Sequence, residues 1–182
     1  MRIGIDLDDT LCNTSETVQK YLKTYASTTK FSKLDIMNEK DLTKEFFNSC
    51  LEKIYNEVEL KPYAKEVIQR LREKRHTFYA ITARSNTFVP SIKNVEEITQ
   101  KWLEKQNIKV EKIITASYGE KKAEVCQEYQ IDIMVDDDPY NIKAMHAFKI
   151  NCILYDDKER FTSRENYATN WLEVEKIIER NS

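Results

Sequence analysis

The sequence predicts an α/β fold: a Rossmann-like parallel sheet flanked by helices, with a small helical cap inserted after the first strand. Three observations carry that expectation. Short apolar runs alternate with longer amphipathic stretches through most of the chain, the pattern of parallel strands joined by helical crossovers. One interval, from about Asn13 to His76, breaks the alternation with helical patterns and no convincing strand. Two acidic runs, "DLDDT" and "VDDD", each follow an apolar run at the point where a strand should end.

The elements follow in order. "RIGIDL" is the first strand. Residues 13–60 hold "SETVQKYLKTYA" and "EKDLTKEFFNSCLEKIYNEV", two helical patterns that form the cap. Residues 61–75, "KPYAKEVIQRLREKR", form the first crossover helix, with Pro62 suited to a first helical position and Val67, Ile68 and Leu71 as its buried stripe. "TFYAIT", "KIIT", "IDIMVD" and "NCILY" are the remaining strands, joined by "IKNVEEITQKWLEKQ", "EKKAEVCQEY" and "PYNIKAMHAF" as helices. Residues 1–12 and 76–182 thus make the α/β core. Open parallel sheets bind ligands beyond the carboxyl ends of their strands. An insertion after the first strand would therefore lie over the site as a lid.

Composition narrows the function. With 182 residues and 41% hydrophobic content, the chain suits one full core and a small appended subdomain. Lysine plus arginine (29) nearly balances aspartate plus glutamate (31), which gives no general attraction to polymeric nucleic acid or to an anionic membrane. The N-terminus lacks a signal-peptide pattern and no apolar run is long enough to span a bilayer, so a cytoplasmic location is expected. Cys12, Cys50, Cys126 and Cys152 have no C-x-x-C pairing and read as reduced thiols. With only Gly4 and Gly119, glycine-rich phosphate loops are absent.

The acidic runs carry the chemistry. Asp6 and Asp8 are neighbours, and two carboxylates ~4 Å apart repel by about 4 kcal/mol at an effective dielectric near 20, so they must bind a cation, share a proton or splay into water. Asp136, Asp137 and Asp138 end a second strand of the same sheet, which brings both clusters to one edge. Oxygen ligands of this kind suit a hard divalent ion, and magnesium is the expected cofactor. His76 and His146, the only histidines, sit away from any acidic or cysteine motif, which disfavours zinc. Thr82 and Arg84 close the second strand, and Lys121 and Lys122 open a helix before the second acidic run. A hydroxyl, a guanidinium and an ammonium there can hold a phosphoryl group.

In this arrangement "DLDDT", "ITA", Lys122 and "VDDD" resemble the four motifs of the haloacid dehalogenase-like superfamily of phosphatases. More narrowly, "DLDDTLCN", "ITAR", "VEEITQKWLEKQNI" and "KAEVCQEYQIDIMVDDDP" are similar to the 5'-nucleotidase-like group that includes cytosolic 5'(3')-deoxyribonucleotidases. The resemblance implies that Asp6 is the nucleophile and that Asp8 is the general acid and base. It implies magnesium held by Asp6, the Asp8 carbonyl and Asp137, with Asp136 supporting. Thr82 and Lys122 would be catalytic phosphoryl holders, and Thr82, Ala83, Arg84 and Lys122 would bind substrate. Lys121 is the rival to Lys122.

The expected activity is a magnesium-dependent phosphomonoesterase working through an aspartyl-phosphate on a small phosphorylated metabolite, a nucleoside or deoxynucleoside 5'-monophosphate. A sugar phosphatase, a phospho-acceptor switch and a catalytically silent nucleotide-binding module are the alternatives. Tyr21, Tyr25, Phe46, Phe47 and Phe88 stand open between stacking on a base and filling a core.

Overall fold

A computed structural model describes residues 1–85, 94–162 and 166–182. Among them, six strands form one parallel sheet: β1 (Arg2–Ile5), β2 (Thr77–Thr82), β3 (Lys112–Thr115), β4 (Ile133–Asp136), β5 (Asn151–Tyr155) and β6 (Tyr167–Ala168). Their order across the sheet is β3-β2-β1-β4-β5-β6. The chain moves outward from β1 to β3, then returns to the other side of β1 with β4. That reversal opens a crevice at the carboxyl ends of β1 and β4, where sheets of this order bind ligands.

Eight helices complete the described chain: α1 (Thr14–Ser27), α2 (Lys33–Asn38), α3 (Lys40–Glu57), α4 (Ala64–Glu73), α5 (Val95–Lys105), α6 (Glu120–Glu128), α7 (Pro139–Ala147) and α8 (Trp171–Arg180). The central strands read as near-continuous apolar runs because both faces are covered. On one face Val67, Ile68 and Leu71 of α4, Trp102 and Leu103 of α5, and Trp171, Val174 and Ile178 of α8 pack into the larger core. On the other, Ala123 and Cys126 of α6 and Ala144 and Met145 of α7 pack against Ile81 and Met134. Gly4 pairs with Met134 across β1 and β4. A methyl group on it would come within 2.6 Å of the Met134 Sδ atom.

Helices α1, α2 and α3 lie between β1 and α4 and enclose their own core of Leu22, Ile36, Phe46, Leu51 and Ile54, which Val95 of α5 joins. The chain enters and leaves this unit through paired segments. Cys12 forms an antiparallel bridge with Leu60, Asn13 N–H donates to the Glu59 carbonyl at 2.9 Å, and Lys61 N–H donates to the Leu11 carbonyl at 2.9 Å.

Three features differ from the sequence reading. Pro62 lies two residues before α4, because Tyr63 takes a left-handed φ of 65° and separates it from the first helical residue, Ala64. The two-residue β6 is too short to show strand alternation, and α8 follows it against the main core. Helix α2 spans six residues, held by a reciprocal cap between Ser32 and Asp35.

All four cysteines are free and buried. Among the described residues, no helix is long and apolar enough to cross a membrane.

Candidate active site

The site grows from the ends of β1 and β4. Register pairs Ile5 with Val135, and Asp6 N–H donates to the Val135 carbonyl at 2.9 Å. Asp6 and Asp136 therefore leave adjacent strands side by side. After Leu7 the chain turns sharply: Asp9 adopts φ 61°, and Leu11 and Cys12 N–H both donate to the Leu7 carbonyl at 2.9 and 3.0 Å. This turn directs Asp8 and Asp9 to different partners. The Asp9 carboxylate accepts from the Ser15 N–H at 2.9 Å at the start of α1.

Lys122 closes the crevice from α6. Its helix starts after Gly119, whose φ of 65° suits glycine and whose N–H donates to Asn141 Oδ1 at 2.8 Å. The buried Lys122 Nζ stands 2.7 Å from Asp6 Oδ1 and 2.6 Å from Asp136 Oδ2. One ammonium offsets one of two carboxylate charges, so the trio keeps an excess negative charge. Burial, against the pull of Lys122, pushes the Asp6 carboxyl well above the usual carboxylate range. Burial also opposes the charge on Lys122, but Asp6 and Asp136 hold it above the ordinary lysine value. Lys121 points elsewhere, pairing with Glu124 at 2.8 Å on the surface.

Asp136 is fully buried and saturated. Beyond Lys122 it accepts from Asp138 N–H at 3.0 Å and from Asn141 Nδ2 at 3.0 and 3.1 Å. Asp138 caps α7 through Tyr140 N–H, and Pro139 occupies the first helical position. Asp137 is left facing the cavity. Its nearest polar contacts are Thr10 Oγ1 at 3.3 Å and Arg160 Nη2 at 3.6 Å. Burial, Asp136 and Asp9 push its carboxyl up to about 7.

Asp8 binds Arg84. The guanidinium Nε donates to both carboxylate oxygens at 3.0 Å, Nη2 donates to Oδ1 at 2.7 Å, and Thr14 Oγ1 adds a bond of 2.5 Å. Burial works to raise the Asp8 carboxyl, but Arg84 and Thr14 outweigh it and hold it below the usual range. Arg84 is buried with its guanidinium carbon 4.1 Å from the Tyr55 ring centroid and 5.6 Å from that of Trp102. Among the described residues, its buried Nη1 has no hydrogen-bond partner. Burial drives the Cys12 thiol, 3.5 Å from Arg84 Nη2, up to about 12, so it is no nucleophile at neutral pH.

Thr82 is buried at the end of β2, where its Oγ1 accepts the Arg84 N–H at 3.2 Å and keeps its own hydrogen to donate. Ala83, next in the chain, reaches the cavity wall.

Asp6, Asp8, Asp136, Asp137, Lys122 and Ala83 line one cavity of about 370 Å³, with Tyr118 and Arg160 at its side. A second cavity of about 650 Å³ adjoins it, walled by Tyr55, Arg84, Ser85, Thr115, Ser117 and Tyr118. Asp8, Ala83 and Tyr118 belong to both. Tyr21, Tyr25, Phe46 and Phe47 belong to neither. They pack within the α1–α3 unit, with Phe46 fully buried against Tyr25 and Phe47. Phe88 falls outside the described residues.

Among the described residues, no three His, Cys, Asp or Glu side chains gather into a metal cage. The donor set fits a smaller demand. Asp6 and Asp137 supply two carboxylates that their own cations leave under-compensated, and the sharp turn at Asp8 can add a carbonyl. Magnesium is bound by one or two carboxylates with water and phosphate oxygens completing its shell.

Asn141, Thr10, Thr14, Tyr118 and Arg160 escaped the sequence reading. Asn141 had a local signal, lying on the first turn of the helix that follows "VDDD". Arg160 had none, because its loop reaches the cavity only through the placement of β5 and β6.

Comparison with known proteins places the fold and the family. No curated protein sequence matches the chain. Its architecture resembles a haloacid dehalogenase-family hydrolase from Bacillus subtilis, YfnB, solved bound to magnesium, with a TM-score of 0.71 at 12% identity over 98% of both chains. It also resembles a phosphatase of the same superfamily from Thermococcus onnurineus, with a TM-score of 0.68 at 12% identity over 97% of both chains. The haloacid dehalogenase-like hydrolase SP0104 from Streptococcus pneumoniae gives 0.62 at 16% identity over 97% of both. The family model described as "5' nucleotidase, deoxy (Pyrimidine), cytosolic type C protein" matches residues 1–182. The chain therefore belongs to that 5' nucleotidase family, a group of phosphoric monoester hydrolases on the haloacid dehalogenase-like fold.

Proposed function

We propose that the chain is a magnesium-dependent 5' nucleotidase of the cytoplasm that transfers the phosphoryl group of nucleoside or deoxynucleoside 5'-monophosphates to Asp6 and then to water. The observation that carries this reading is the shared cavity: Asp6, 2.7 Å from Lys122, lines it together with Asp8 and Asp137. The same reading makes the α1–α3 unit, residues 13–60, a cap over the core, because Tyr55 of α3 walls the second cavity.

In the first half-reaction a carboxylate oxygen of Asp6 bonds to phosphorus and the bond to the ester oxygen breaks. Asp8 gives that oxygen its proton. In the second half-reaction Asp8 takes a proton from water, the water oxygen bonds to phosphorus, and the bond to Asp6 breaks. Arg84 keeps Asp8 ionised before substrate enters; the negative charge of the incoming phosphoryl group raises its proton affinity, so that Asp8 takes from solvent the proton it then gives to the ester oxygen. Lys122 and the Thr82 hydroxyl hold equatorial oxygens, where charge spreads in the transition state. Asp6, Asp137 and the Asp8 carbonyl would hold a magnesium ion, which would supply charge neutralisation to the phosphoryl oxygens.

The second cavity supports a nucleoside as leaving group. Asp8, which must reach the ester oxygen, stands at the junction of both cavities. Phosphate thus belongs on one side and the alcohol on the other. Tyr55 and Tyr118 offer ring faces to a base. Release of phosphate from a panel of nucleoside monophosphates, sugar phosphates and an aryl phosphate tests the reading, with Asp6→Asn as the blank. Failure of every ester in the presence of magnesium would sink it.

A further inference from the structure

We propose that Arg160 is the resident counter-ion of Asp137 and yields that carboxylate to a divalent cation. The inference rests on the reading of Asp137 as a cation ligand. Each of the cavity carboxylates Asp6, Asp8, Asp136 and Asp137 has a cationic partner, but the partners differ in kind. Lys122 and Arg84 are buried and bind at 2.6 to 2.7 Å. Arg160 has a side chain 42% exposed and its Nη2 stands 3.6 Å from Asp137 Oδ2, too far for a hydrogen bond.

Its other end is fixed. Arg160 Nε donates to Asp156 Oδ1 at 2.9 Å. The buried Asp156 also accepts from Phe161 N–H at 2.9 Å and from the Tyr167 hydroxyl at 3.0 Å. The start of the loop is pinned by the ion pair of Asp157 with the buried Lys61 at 2.5 Å. The guanidinium is therefore held through Nε and by the Phe161 ring, whose centroid lies 5.0 Å from its carbon, while the cavity-facing Nη2 stops short of a hydrogen bond to Asp137.

Charge decides what this geometry does. Without a metal ion, Arg160 is the one cationic side chain within 4 Å of Asp137 among the described residues. With a divalent ion on the same carboxylate, a guanidinium a few ångströms away repels it. Arg160 thereby stabilises the cation-free site and lowers its affinity for the ion.

The test uses Mn²⁺ alone as probe, titrated into the full chain at low ionic strength and followed by calorimetry and by the spin signal of free manganese. Arg160→Gln is expected to bind Mn²⁺ roughly five- to tenfold more tightly than wild type. Arg160→Lys keeps the charge and should stay within about twofold of wild type. Arg160→Met repeats the neutral substitution with a chain of similar length and should behave as Arg160→Gln does. Unchanged or weaker binding in the neutral variants would overturn the inference while leaving the cation site intact. Absence of Mn²⁺ binding by wild type would instead overturn the reading of Asp137, and the inference with it.

Discussion

Asp8 and Arg84, 76 positions apart in the chain, meet as a fork: three contacts of 2.7 to 3.0 Å join one guanidinium to one carboxylate. Two ring systems cover the guanidinium, Asp8 borders both cavities, and Arg84 walls the second. Breaking the fork from the arginine side strands a charge in a partly buried place. Arg84→Ala should lower stability by about 3 kcal/mol or more, and Arg84→Lys should recover only part of that, because an ammonium cannot reproduce the planar fork. Urea unfolding of both variants measures the difference.

Replacing Asp6 tests its proposed role as the nucleophile. Asp6→Asn should cut turnover by at least about 10³-fold while the protein stays folded, since the amide fits the same space without the charge that burial disfavours. Wild type, but not the variant, should capture beryllium fluoride as a mimic of the phosphorylated aspartate, seen by fluorine resonance.

The two adjacent lysines separate structure from surface. Lys122→Ala leaves Asp6 and Asp136 together without their shared cation and should cost several kcal/mol, about 3 to 5, along with activity. Lys121→Ala removes one exposed ion pair and should change stability by less than about 0.5 kcal/mol. Thermal melts of the pair give a direct comparison.

Asp137 links stability to pH. Its folded value of about 7 lies above the ordinary 3.8, so between those values the folded chain holds a proton that the unfolded chain releases. Stability without metal should therefore fall as pH rises from about 4 to about 7. On the proposed reading magnesium would bind the ionised carboxylate, so its stabilising effect should be larger at pH 8 than at pH 5.5. Melting curves with and without magnesium test this, and Asp137→Asn should weaken both trends, the raised Asp6 carboxyl supplying what remains.

Tyr118 borders both cavities with 58% of its surface exposed. Tyr118→Ala should raise KM for nucleoside monophosphates by roughly ten-fold, in line with about 1–3 kcal/mol for a base stacked on a ring, and leave a small ester such as acetyl phosphate nearly unaffected. Tyr118→Phe should keep the nucleotide KM. Equal losses on both substrates would remove Tyr118 from substrate selection.

What could be read from the chain followed its local grammar. "RIGIDL" and "IDIMVD" announce strands because their apolar residues run unbroken, and parallel strands necessarily end at one edge, so Asp6 and Asp136 become neighbours once the sheet forms. Lys122 stands within reach because a glycine turn opens its helix immediately after β3. Partnerships without a local pattern stayed hidden. No spacing joins Arg84 to Asp8 or Arg160 to Asp137, and a guanidinium at the end of a strand looks the same whether it faces solvent or two aromatic rings. The aromatic residues of the helical insertion were ambiguous for a related reason: periodicity marks a buried face without saying what is buried against it. Phe46 spends that face on its own helical unit, and the rings beside the cavities come from Tyr55 and Tyr118 instead.

The two strands of chain that lead into and out of the α1–α3 unit run together, with Cys12 bridged to Leu60 and Asn13 bonded to Glu59. A segment whose ends touch is a module in the topological sense: its length can change without stretching the sheet beneath. Lineages could exchange this segment for a shorter or longer one while the sheet and the residues at its carboxyl edge stay as they were. The paired ends at Cys12 and Leu60 are thus where a designer would cut to exchange the segment without disturbing the sheet.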